Sequence, residues 1–207
     1  MSDTLLYKAA CVWNELLQYK YTFIYGFKMK LYTINLTFSP EDFPHLTGFH
    51  YLKDLSLPRF TPGKTVFRVL DGTITQEQVE KGLQYEKMVK PRLLAIVALK
   101  DILDNEFSLY SFMPRFYSFV TSIKANYLIV SQLADTSFVF LIMDSEQSNV
   151  ANCICYSIFL KGDRNYEQNQ RPYTLLKKIK TNLLNHSSQV LYLKDGFIDH
   201  TDTDLFC

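Results

Sequence analysis

The sequence predicts an α+β fold in which N-terminal helices pack on a C-terminal antiparallel sheet of four to five strands. Three observations carry this. Residues 3–19 and 91–104 place apolar side chains at helical spacing. After Asn105 the pattern changes to period two, in segments rich in Val, Ile, Phe and Tyr. The polar connections between those segments, such as Asp144–Asn149, are too short for parallel crossovers, so neighbouring strands should run antiparallel.

The first helix is read from Leu5, Leu6, Ala9, Val12, Trp13, Leu16 and Leu17 on one face, with Ser2 or Asp3 as cap. Tyr21–Phe27 and Lys30–Phe38 follow as strands of a hairpin whose turn, Phe27-Lys28-Met29-Lys30, lacks an Asn-Gly signal. Ser39-Pro40-Glu41-Asp42 has the composition of a helix start: a capping hydroxyl, a proline for the first turn and two carboxylates. Thr75-x-x-Gln78 reads as a capping box for a helix over 75–84. Strands are expected at Phe107–Phe112, Ala125–Ser131, Thr136–Met143, Asn152–Leu160 and Tyr173–Ile179, with Gln189–Leu193 as an edge. The organisation expected is one α+β domain over 1–194, comprising a helical arm (1–20), a hairpin with helices (21–104) and the sheet (105–194). An acidic tail (195–207) follows.

Composition narrows the function. Of 207 residues, 47% are hydrophobic and 21% charged, the balance of a packed chain and not of a disordered one. The formal net charge of +1 gives no global field for holding long duplex DNA. Locally the charge is uneven: residues 161–194 carry seven bases against two acids, and residues 195–207 carry four acids and no base. The tail could therefore shield the basic segment before it. Cys11, Cys153, Cys155 and Cys207 form no C-x-x-C pair, and no H-E-x-x-H occurs, so a zinc site is not indicated. No G-x-G-x-x-G, P-loop or G-x-S-x-G is present, which takes most of the support from the common nucleotide-dependent and serine-hydrolase chemistries. The N-terminus has no signal-peptide pattern, and the longest apolar run, Leu93–Leu99, is far short of a membrane span. A cytoplasmic protein without cofactor or membrane partner is expected.

Acid–base chemistry without a metal remains. Of His45, His50, His186 and His200, His45 is singled out because it sits between two structure-setting residues, Pro44 and Gly48. Lys53 lies eight residues later, two turns on if the helix continues through Gly48. Arg92, beside Pro91 at a helix start, could clamp a phosphate bidentately. On the last strong strand Arg171, Tyr173, Thr174 and Lys177 are candidates. There Tyr173, Leu175 and Lys177 share one face, Thr174, Leu176 and Lys178 the other, and the sequence leaves open which face receives a ligand. Thr174 is the second catalytic candidate; Lys53, Arg92, Tyr166, Arg171, Tyr173 and Lys177 are substrate-binding candidates, Tyr166 as a base-stacking ring.

The runs Leu31–Phe38, Asp42-Phe43-Pro44-His45-Leu46-Thr47-Gly48-Phe49 and Leu52-Lys53-Asp54 resemble the phage-associated nuclease families of the Barnase–EndoU–colicin–RelE group, most of all the fourth. Lys124–Ile129, Phe138–Ile142 and Arg171–Lys178 are also similar, so the likeness spans about residues 20–180. It implies helices on a four-stranded antiparallel sheet. It also implies a metal-independent, toxin-like endoribonuclease of a phage or mobile element, in which the RNA 2′-hydroxyl attacks the adjacent phosphorus to leave a cyclic phosphate. His45 matches the family run directly as acid or base. A cognate inhibitor or antitoxin would accompany such an RNase. The alternative is a non-catalytic binding or inhibitor protein on the same fold. Cations gathered around His45 would favour the nuclease; a buried, apolar His45 would favour the alternative.

Overall fold

The computed structural model describes residues 3–57, 61–133 and 137–198. Eight strands form the sheet: β1 (Tyr19–Phe27), β2 (Lys30–Thr37), β3 (Ser108–Ser111), β4 (Tyr127–Ser131), β5 (Ser137–Gln147), β6 (Val150–Leu160), β7 (Arg171–Asn182) and β8 (Ser188–Leu193). Their order is β1-β2-β6-β5-β4-β3-β7-β8, and β1 also pairs with β7, so seven strands close into a barrel with β8 appended. The expected open antiparallel sheet of four to five strands is therefore incorrect. β3 to β7 do pair antiparallel among themselves, but the β1–β2 hairpin inserts between β6 and β7 and joins the two edges. The β2–β6 pairing is parallel, Thr33 opposite Val150 through Thr37 opposite Ile154. This is possible because the whole helical segment lies between these two strands and serves as their crossover. Closure satisfies backbone groups that an open sheet would leave at both edges.

A polar ladder on one face pins the register across the closing strands. Thr22 Oγ1 donates to Asn35 Oδ1 at 2.9 Å, Asn35 Nδ2 donates to Asn152 Oδ1 at 3.2 Å, and Asn152 Nδ2 donates to Ser145 Oγ at 3.1 Å. The opposite face is the barrel interior. The Tyr25 and Tyr127 hydroxyls meet there at 3.3 Å, although β7 and β3 separate their strands in the sheet. Tyr25 also stacks on Tyr173 with ring centroids 4.5 Å apart. Both two-residue turns, Lys28-Met29 and Ser148-Asn149, hold positive φ, the geometry that matches strand twist. The strand pairing imposes this turn even without glycine.

The helices are α1 (Leu5–Leu16), α2 (Phe43–Leu46), α3 (Thr65–Leu70), α4 (Gln76–Glu80) and α5 (Lys90–Asp104). Thr75 and Gln78 do form the reciprocal capping box, but α4 stops at Glu80 instead of reaching 84. α1 packs against α5, and their apolar sides merge with the barrel interior in one core. Trp13 lies at the centre of it: its indole donates to Ser39 O at 3.0 Å and its ring meets Phe38 and Phe43. That anchor fixes the chain leaving β2 and so the start of α2. A π-helical turn, Tyr85–Val89, leads into α5. Pro91 has no N–H to give Lys87 O, and the preceding turn widens, with Lys90 N–H bonding Tyr85 O. Among the described residues no helix is long and apolar enough to cross a membrane.

A second aromatic core lies apart from the first. Tyr110, Phe112, Leu128, Val130, Phe138, Phe140 and Tyr166 are buried in it, with Tyr117 and Phe119 against them. It fastens the irregular segments 113–126 and 161–170 to the sheet. Tyr117 Oη donates to Tyr166 O at 2.7 Å, and Gln170 bonds both the N–H and the C=O of Met113.

A bulge where Tyr25 pairs with Leu175 and Ile24 with Lys177 skips Leu176 and changes the face assignment on β7. Lys178, not Lys177, joins Tyr173 and Leu175 on the interior face. It is 2% exposed, donates to Asn105 O and lies 4.8 Å from the Phe107 ring. Burial pulls its ammonium down to about 8, and Asp104 and Glu106 only partly restore it. The unfolded chain keeps the ordinary value of 10.5, so between about pH 8 and 10.5 the unfolded state binds more protons. Across that window the stability of the wild type should rise relative to that of Lys178→Met. Urea unfolding of both proteins at several pH values checks this; a constant difference would contradict it.

Candidate functional site

Where α2 ends, the chain reverses and brings a second histidine beside His45. Thr47 closes the helix, its hydroxyl donating to Phe43 O at 2.9 Å, and Gly48 takes φ +79°. A 3-10 turn, Phe49–Tyr51, follows. The His45 and His50 rings stack with centroids 5.2 Å apart and planes 15° apart. Tyr156 approaches His45 at 5.6 Å, and Tyr51 lies 4.0 Å from His50. Tyr156 occupies a β6 bulge, the residue skipped between the Leu141–Cys155 and Phe140–Ser157 pairs. A bulge re-aims the side chain it carries, here into the cleft.

The cleft around this group encloses about 800 Å³. Its lining includes five bases, Lys87, Lys90, Arg92, Lys161 and Arg164, and one acid, Asp163. Arg92 is half-buried between aromatic rings, 5.1 Å from Tyr51 and 5.8 Å from Phe159, and donates to Met88 O at 2.6 Å. No carboxylate among the described residues pairs with it. Burial lowers its pKa, and the Tyr51 hydroxyl pushes it back up. A desolvated guanidinium without a counter-ion is costly, and an anion in the cleft would relieve that cost.

The two imidazoles have different neighbours. Burial pulls His50 below its ordinary value, and the cationic surroundings of His45, Arg92 and Lys53 pull it further. His45 has Asp42 one turn before it. Although Asp42 occupies the N-cap position of α2, its side chain makes no capping bond, and Oδ2 is buried with no hydrogen-bond partner. Burial raises the Asp42 carboxyl, the Ser39 backbone draws it down, Glu41 raises it, and His45 draws it down again. Among the described residues no group of three or more His, Cys, Asp or Glu side chains is placed to hold a metal ion.

Of the residues picked out in the sequence, His45, Arg92 and Tyr166 line this cleft. Tyr166 is 5% exposed and packs edge-on against Phe119, Phe138 and Phe140, so it builds the wall instead of offering a free face. Lys53 is exposed outside the lining, because Gly48 ends the helix that would have put it two turns from His45. Arg171, Tyr173, Thr174 and Lys177 lie on β7 and do not line the cleft. Arg171 flanks a shallower groove with Phe116 and Gln170, Tyr173 is in the interior aromatic stack, Thr174 is exposed opposite Gly26, and Lys177 is buried. His186 lies in the turn between β7 and β8, and His200 and most of the acidic tail fall outside the described residues. Sequence reasoning did not pick out His50, Tyr51, Tyr156, Lys87 and Lys90, and it took in Lys161 and Arg164 only as members of the basic segment 161–194. His50 was recoverable from the turn signal at Gly48; the others depend on strands and loops meeting through non-local pairing.

Paired imidazoles beside an arginine without a carboxylate partner, in a basic cleft, are groups that can exchange protons and bind an anion. Over residues 5–195 the chain matches the family described as phage-Barnase-EndoU-ColicinE5/D-RelE like nuclease4, and it belongs to that family. No curated protein and no solved structure matches it.

Gly48 has a defined job in this geometry. A Cβ there would stand 3.0 Å from Arg92 Cδ, 3.2 Å from Met88 O and 3.2 Å from Tyr51 Cδ2, at a φ that L-residues rarely adopt. Gly48→Ala should cost about 1–2 kcal/mol of stability. Thermal unfolding measures that cost. An anion titration should in addition show weaker phosphate binding, since Arg92 and Tyr51 must move.

Proposed function

We propose that the protein is a metal-independent endoribonuclease whose catalytic pair is His45 and His50. The stacked histidines next to the unpaired Arg92 carry this reading, because they supply a base, an acid and a phosphate clamp in one place. Exposed His45 among cations also favours a nuclease over a non-catalytic relative. His50, exposed at the cleft and with its pKa lowered by partial desolvation and by the positive charge around it, takes the proton from the RNA 2′-hydroxyl. The 2′-oxygen bonds to phosphorus and the bond to the 5′-oxygen breaks. His45, with Asp42 as its negative neighbour, gives that leaving oxygen its proton. Arg92 donates to the non-bridging oxygens, whose charge grows in the transition state. The products are a 2′,3′-cyclic phosphate and a 5′-hydroxyl. β7 residues, Thr174 included, have no part in this chemistry. Toxin-like activity and an accompanying inhibitor protein belong to the same reading.

The test is cleavage of total RNA in EDTA, with the 3′ ends identified. Cyclic phosphate ends should appear, and His45→Ala or His50→Ala should lower the rate by about 10²–10⁴-fold with folding intact. Equal activity in wild type and both variants would refute the assignment. The base must be deprotonated to act, and His50 is held below the ordinary 6.5, so the acid limb of kcat/KM should lie below pH 6.5. Lys53→Gln removes one of the charges that hold it down and should move that limb upward.

A further inference from the structure

We propose that the part of the cleft wall formed by residues 121–122 and 161–164 is a second phosphate subsite, so that the protein grips one unpaired RNA strand across at least two phosphates. This rests on the nuclease reading for the identity of the strand and goes beyond it in naming how the strand is held. The wall includes Thr121, Ser122, Lys161, Asp163 and Arg164, contributed by two irregular segments that meet through tertiary packing, and its two cations outweigh its one acid. It is a built structure. Arg164 lies 5.2 Å from the Phe119 ring and donates to Val120 O at 3.3 Å. Phe119 stacks on Tyr117 at 4.7 Å and meets Tyr166 edge-on. Thr121 accepts from the Ile123 N–H at 3.2 Å, which sets the turn that carries both hydroxyls. The second aromatic core therefore holds this wall at a fixed distance from the sheet.

Among the described residues no carboxylate pairs with Lys161 or Arg164, nor with Lys87 on the near side, whereas Lys90 is bound to Glu86 at 2.8 Å. Two cations with neighbouring hydroxyls form the donor set for a phosphodiester. A volume of about 800 Å³ is on the scale of one modest ligand, which fits a few nucleotides of a single strand and not a duplex. With one phosphate at Arg92 and the histidines, a neighbouring phosphate of the same strand falls to Lys161 and Arg164.

The experiment is fluorescence-anisotropy binding of a 2′-O-methyl hexanucleotide, which cannot be cleaved, to the full chain at 50–200 mM salt. Each phosphate contact on a single strand contributes about 0.7 to the slope of log affinity against log salt. Lys161→Gln/Arg164→Gln should lower that slope by about 1.4 and weaken binding by about tenfold. Lys161→Gln alone, at an exposed position that leaves the Phe119 contact intact, should lower the slope by about half as much. Unchanged slope and affinity in both variants, or equal binding of a duplex hexamer, would overturn the proposal. Hexamer binding with the expected slope change but without any RNA cleavage would retain the subsite and refute the nuclease reading. Cleavage that depends on His45, with no slope change, would do the reverse.

Discussion

The insertion of the β1–β2 hairpin between β6 and β7 is the constraint on which the rest of the structure depends. It converts a five-stranded antiparallel array into a closed barrel, with one parallel joint at β2–β6. That joint places the end of β2 alongside β6, and the chain leaving β2 carries α2 and both histidines. Trp13, bonded to Ser39 O, holds this exit from the helical side. The cleft forms because β6, α2 and the start of α5 are brought together there. A slip of one residue in the β2–β6 register would turn every alternate side chain to the other face. The Thr22–Asn35–Asn152–Ser145 ladder spans the joint and resists such a slip.

Much of this was legible locally. The hairpin, α1 and α5 follow from periodicity and the α4 start from its capping box, because each depends on residues within one or two turns, although Thr4 and not Ser2 or Asp3 caps α1. Every strand of the second half lies where period-two patterning put it, with boundaries off by a few residues. The architecture was not legible, because closure rests on two pairings, β1–β7 and β2–β6, between segments more than a hundred residues apart. Short loops report only which strands can be antiparallel neighbours; they say nothing of a hairpin made much earlier in the chain. The β7 face assignment failed for a smaller reason. A single bulged residue, Leu176, reverses the alternation, and a bulge leaves no mark on a run of apolar and basic residues.

In the cleft, His45 stands out in the sequence because Pro44 and Gly48 frame it, and Arg92 because it follows Pro91; both line it. The same Gly48 that marked the turn removed Lys53 from the face it was expected to share. By ending α2 it delivered His50 instead, five residues on. The lesson is specific: a glycine after a short helix should shift attention from helical spacing to whatever residue the reversed chain returns. Tyr166 illustrates the opposite error. An aromatic in a basic loop looks like a stacking platform, yet its ring is enclosed by Phe119, Phe138 and Phe140. Its ring packs on Phe119, which in turn lies against Arg164.

A net charge of +1 hides this field because compensating acids are placed elsewhere. Asp101 and Asp104 sit at the C-terminal end of α5, where the helix dipole disfavours them. Asp104 is stabilised there by Lys180 at 2.8 Å and by the Tyr21 hydroxyl at 2.7 Å, with Lys100 nearby. The bases of the cleft, by contrast, are mostly left without carboxylates. Pairing acids with bases at one end of α5 while leaving cations unpaired at the other gives a protein that is nearly neutral at long range and strongly positive within the cleft. That distribution concentrates positive potential beside the two histidines, while a small net charge offers little long-range attraction to a duplex.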